Sequence, residues 1–184
     1  MKRLILFIQI TVFTSILHAG DNICFDENNA FLTQAPVGWV ADTAKAKELG
    51  LCAVYVVKGK DFDSSPAIIY PRLGGTANEG KAAVEEFILE STALLKDSKT
   101  LKVLTKPAIK NKSGLKFEIR HFLNGPPPND FEAIAYHAGK KAVLVLVLST
   151  RSEKAFDSHR MKLAEFVKTI KPLSQKELEK YKNK

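Results

Sequence analysis

Outside the amino-terminal segment, His121, His137 and His159 are the candidates for metal binding or proton transfer. His121 and His137 fall on the two strands of one predicted hairpin, with Glu118 and Glu132 near them. Imidazole and carboxylate donors hold zinc at about 2.0–2.2 Å, so a shared ion requires side chains that converge. The spacing of these residues follows no zinc-ligand pattern, and no metal ligand is assigned. Ser, His and Asp are all present, but no Gly-x-Ser-x-Gly elbow offers a nucleophile. Gly74-Gly75 lacks the spacing and the Lys of a phosphate loop and reads as a strand-to-helix turn. Asp61 and Asp63 lack the Gly and Glu that complete a calcium loop. Asn111-Lys112-Ser113 is a glycosylation acceptor if the host is a eukaryote. No catalytic residue and no cofactor follow from these patterns.

The start of the chain carries more information. Met1-Lys2-Arg3 is basic, Leu4 to Ile16 is mostly apolar, and Leu17-His18-Ala19 ends on a small residue. That order is the one a cleavable secretory signal has, here residues 1–19. The apolar run is shorter than the roughly 20 residues that cross a bilayer. Cys24 follows polar Asp21-Asn22 and bulky Ile23, which is no lipid-attachment box. The expected product is therefore periplasmic or secreted and not membrane-spanning. In an oxidising compartment Cys24 and Cys52 should pair. The closed loop of 29 residues corresponds to roughly 3–4 kcal/mol of stabilisation in the chain-entropy picture.

The 184-residue chain carries +8 at neutral pH. Losing Lys2 and Arg3 with the signal leaves 26 basic against 20 acidic residues, or +6. Such a balance favours acidic partners or anionic surfaces. Nucleic acid is not expected, because the basic runs carry no interleaved aromatics for base stacking.

These side chains need elements to position them. Cys24 to Gln34 reads as an extended lead, and Ala35-Pro36-Val37-Gly38-Trp39 as a turn. Asp42 caps a short helix that stops at Gly50. Leu51 to Val57 and Ala67 to Tyr70 read as strands, the second ended by Pro71. Thr76 or Asn78 caps a long helix with Val84, Phe87, Ile88 and Ser91 on one stripe. Leu101 to Lys106 is a strand stopped near Pro107. Leu115 to Leu123 alternates, with Phe117, Ile119 and His121 opposite Lys116, Glu118 and Arg120. Phe131 to His137 is its return strand, and Ala142 to Leu148 the central strand. Ser152 caps a last main helix with Phe156, Leu163, Phe166, Val167 and Ile170 inward. Ser174 to Glu177 is a capping box, followed by a polar tail expected to fray. Helices set between and after runs of antiparallel strands predict an α+β fold: a central antiparallel sheet flanked by helices, an α/β/α sandwich. One domain over residues 20–173 is expected, with a polar helical tail over 174–184.

The opening Phe31, Pro36, Gly38 and Trp39 and the Leu51-to-Val57 strand after a short helix resemble the PsbP-like family. So do the helix with Phe87 and the closing order of charged hairpin, Val/Leu strand and helix with Phe166. That resemblance implies the same sandwich and a protein that acts by binding or assembly, with no shared catalytic residues. The expected function is therefore a non-catalytic exported protein that binds another protein, or assists assembly, in the cell envelope. The candidate binding residues lie on the charged hairpin and its proline loop: Arg120, His121, Pro127 and Tyr136. The alternatives are a small-molecule or metal-binding module, and an immunity protein against an envelope toxin.

Overall fold

Nine consecutive buried residues, Ala142–Thr150, make the strand around which the molecule is organised. In the computed structural model, which describes residues 21–95, 100–125 and 131–182, this strand is β9. A run of Val and Leu suits it because both of its faces are covered and both of its edges are paired. The expected signal segment 1–19 and the candidate Pro127 lie outside the described residues.

The strands before β9 are β1 (Asp21–Phe25), β2 (Ala30–Gln34), β3 (Trp39–Ala41), β4 (Tyr55–Val57), β5 (Ala67–Gly75), β6 (Lys102–Lys110), β7 (Lys116–Leu123) and β8 (Phe131–Ala138). Helices α1 (Thr43–Leu49), α2 (Gly80–Leu95), α3 (Glu153–Thr169) and α4 (Gln175–Lys182) and the short β10 (Lys171–Pro172) complete the chain. Seven strands form one antiparallel sheet in the order β3-β4-β5-β9-β8-β7-β6. The expected α+β sandwich is the observed one. On one face, α3 packs Phe156, Leu163, Phe166 and Val167 against Tyr55, Ile69, Phe117, Ile119, Leu144 and Leu146. On the other, α2 packs Ala83, Val84 and Phe87 against Phe122, Ile134, Tyr136, Val143 and Val145. Among the described residues no helix is long and apolar enough to cross a membrane.

Local signals worked where they were self-contained. Asp42 accepts the Lys45 N–H at 2.9 Å, and Gly50 closes α1 in the left-handed conformation at φ 65°. Ser152 accepts the Ala155 N–H at 3.2 Å to start α3. Ser174 and Glu177 exchange hydrogen bonds as a capping box.

Five expectations change. The strand after α1 is only Tyr55–Val57, because Cys52 to Val54 lie buried without ladder partners. Ala67 to Tyr70 continues through Pro71 to Gly75. Beside β5, β4 reaches only Ile69, so Pro71 sits where one side is an edge and a missing N–H is tolerated. Likewise Pro107 does not end β6 but falls at a register shift between Lys106 and Ile109 on the outermost strand. Gly74 is not the strand-to-helix turn: the Phe87 ring lies where its Cβ would be. The tail is also more ordered than its polarity suggests. Leu178 of α4 is buried with Ile23, Ala30 and Leu32 on the separate β1-β2-β10 sheet.

The expected disulfide joins Cys24 on β1 to Cys52 after α1, with Cα atoms 5.2 Å apart. It ties the small sheet to the edge of the large one.

Candidate functional site

Strand alternation sorts the candidate residues before any tertiary contact does. On β7, Phe117, Ile119 and His121 point to the α3 face, while Arg120 and Phe122 point to the α2 face. On β8, Phe131, Ala133, Ala135 and His137 point to the α3 face, and Glu132, Ile134 and Tyr136 to the α2 face. The three described hairpin candidates, Arg120, His121 and Tyr136, therefore form no single surface.

Tyr136 corrects the expectation most. It is fully buried under α2, and its hydroxyl donates to Ser91 Oγ at 3.0 Å. Burial pushes its phenol pKa up to about 12. It offers nothing to a partner, because β8 is covered by helices on both faces. Arg120 is half-buried on the same face and donates to the Ile119 carbonyl at 2.9 Å.

His121 and His137 do share a face, but they do not converge. His121 pairs with Ala133, and His137 lies four residues further along β8. At about 3.4 Å per residue that is about 14 Å. A shared zinc ion is out of reach of the pair. His137 is taken up by Phe117 at 5.2 Å between rings and by the Lys116 carbonyl at 2.9 Å from Nδ1. Among the described residues no cluster of three metal-donor side chains forms. His159, expected at the surface, is half-buried edge-on against Trp39 at 5.8 Å.

His121 instead joins a groove between the outer hairpin and α3. Its ring stands edge-on to Phe156 at 5.2 Å. Burial, then Lys106 and Arg160, lower its pKa to about 4, so it is neutral at physiological pH. The groove has a volume of about 220 Å³. Ile109, Ile119, Leu163 and Ala164 supply apolar lining, and Lys106, Arg160 and Met161 stand with His121 around it. Met161 is 66% exposed, and Leu104, directly across from His121, is 39% exposed.

Asn111 joins the hairpin to the end of α3. It is buried in the β6–β7 turn, and its Nδ2 donates to the carbonyls of Val167 at 3.2 Å and Ile170 at 2.9 Å. Those carbonyls lie at the end of α3, where the Val167 carbonyl also accepts the Ile170 N–H at 3.4 Å. Its Oδ1 accepts the N–H groups of Ser113 and Leu115, both at 3.0 Å. The glycosylation reading of Asn111 is thereby corrected: the side chain is spent on joining the hairpin to α3. An Asn in a tight turn gave no signal for that longer-range role.

The α2 face holds a second group that sequence reading passed over except as a metal donor. Glu132 is buried at 6% exposure on the register pair of Ser149. Burial raises its carboxyl to about 7; the Ser149 hydroxyl and the Arg72 cation work against that rise. Arg72 Nε is itself buried without a hydrogen-bond partner among the described residues.

No family model matches the chain, and no curated protein matches it. Solved structures do. The Ran-binding protein Mog1p of Saccharomyces cerevisiae superposes with a TM-score of 0.50 at 14% identity, covering 77% of this chain and 89% of that one. A Mog1 mutant gives 0.51 at 13%, covering 79% and 92%. Cyanobacterial PsbP from Synechocystis sp. PCC 6803 gives 0.49 at 12%, covering 89% and 99%. At these identities the likeness is one of fold alone: the two Mog1 structures carry it, and the chain has the PsbP-like fold that its residue pattern suggested.

Proposed function

We propose that this is an exported, non-catalytic protein that binds another protein in the cell envelope. The observation that carries the reading is the groove at His121. It combines apolar lining, exposed Met161 and two cations, Lys106 on the outermost strand and Arg160 on α3, with exposed Leu104 on the strand position across from His121. Large apolar side chains left exposed beside fixed charges are a feature of protein-binding surfaces. Mog1p, which shares the fold, is a Ran-binding protein. The signal-like start and the Cys24–Cys52 bridge support an oxidising compartment.

Two measurements test it. Intact mass of the purified mature protein should show cleavage after Ala19 and both thiols oxidised; a retained Met1 or two free thiols would end the export half. Capture from an envelope extract on immobilised protein should retain a partner that a Leu104→Glu, Met161→Glu variant releases. Capture of no partner, or one indifferent to those changes, would end the binding half.

A further inference from the structure

The groove is built for more than apolar contact. At about 220 Å³ it is smaller than the roughly 300–1,000 Å³ of typical small-molecule sites. It suits one inserted side chain. Its apolar lining comes from Ile109, Ile119 and Leu163, and its polar groups are all cationic or neutral. Among the described residues Lys106 has no ion-pair partner, and Arg160 has only Asp157, at 3.5 Å from Nε. No carboxylate lines the groove. An ammonium and a guanidinium beside a half-desolvated pocket are complementary to an anion standing next to an apolar group.

We infer that the groove between β6, β7 and α3 binds a segment of a partner protein in which an apolar side chain is flanked by carboxylates. The apolar side chain packs on Ile109, Ile119 and Leu163 beside Met161, and the carboxylates meet Lys106 and Arg160. Neutral His121 fits this division, since an imidazolium there would put a half-desolvated cation beside Lys106 and Arg160. The edge strand itself is not the template. Pro107, the register shift beside it, and Lys102, Lys106 and Lys110 are features that discourage strand addition. This inference rests on the protein-binding reading and names the chemistry of the partner.

A random peptide library displayed on phage, panned on the mature disulfide-bonded protein, tests it. Enriched peptides should pair an apolar residue with adjacent Glu or Asp. Their binding should fall at least tenfold on Lys106→Glu with Arg160→Glu, and when the peptide's acids become amides. Lys58→Glu with Lys60→Glu makes the same change in net charge at the far side of the sheet and should leave binding unchanged. Neutral or basic enriched peptides, no enrichment, or equal loss in both reversals would overturn the inference. So would displacement of the peptides by octanoate as tightly as by the peptides themselves, since a small amphipathic acid would then be the ligand. A partner still captured from envelope extract in any of those cases would leave the broader reading standing.

Discussion

Strands β7 and β8 carry two polar clusters on opposite faces, and they solve the cost of burial differently. On the α3 face, Lys106, His121 and Arg160 border a groove, half-buried or exposed, with charges that face solvent and a histidine that gives up its charge. On the α2 face, Tyr136 is buried under a helix, Glu132 is buried and Arg72 is half-buried. There the carboxyl shifts toward its neutral form and the phenol finds Ser91. The first arrangement leaves binding capacity at the surface. The second is an internal polar seam whose effects register as stability. The lesson is that sheet face, more than residue type, decides which role a charged side chain takes.

The largest way to break the contrast is Phe156→Ala. Phe156 is buried against His121 and Phe131, so its removal should cost about 3–5 kcal/mol in denaturant unfolding. It should also let the His121 pKa rise from about 4 toward 6.5, read by NMR titration. An unmoved His121 would show that the ring does not depend on α3 for its burial.

Glu132→Gln probes the opposite face. The folded pKa lies above the unfolded value, so folding favours the protonated form. Stability from this group is complete below about 4.5 and is lost as pH rises through about 7. Each tenfold step is worth about 1.4 kcal/mol, so at pH 8 the amide should be more stable by about 3 kcal/mol. The gain should vanish near pH 4. A gain independent of pH would disprove the buried-carboxylate account.

Asn111→Ala should cost about 2 kcal/mol, the net of its four hydrogen bonds. Hydrogen exchange should quicken at the end of α3 and in the β6–β7 turn, and not under α2. Tyr136→Phe removes the donor to Ser91 Oγ, which keeps its own bond to the Phe87 carbonyl, and should cost about 1 kcal/mol, with peptide binding in the groove unaltered. Smallest of all, Lys106→Glu with Arg160→Glu should move stability by less than about 0.5 kcal/mol, because those charges face water. A larger loss would mean that the groove is held by its charges and not by Asn111.

Much of the fold could be read in advance where a single element carries its own signal. Asp42 and Gly50 bracket α1, Ser152 starts α3, and Ala142 to Leu148 announces the central strand. The alternation on β7 placed Phe117, Ile119 and His121 together. The errors share a cause. Pro71 and Pro107 look like stops in the sequence, yet a proline's missing N–H matters only if a neighbouring strand needs it, and neighbours are a property of the sheet. Tyr136 looks available in the sequence because β8 alone does not say that α2 lies over it.

By itself, the sequence determined periodicity, caps, the signal-like start and the two cysteines. These depend on residues within a few positions of one another or on composition. Only the tertiary structure decided which strands became edges, that His121 and His137 stand about 14 Å apart, and that Asn111 belongs to α3 as much as to its own turn. It also decided that Glu132 is buried and Lys106 is not. Burial and desolvation come from chain segments distant in sequence, and they set whether a charge serves a partner or strains the core.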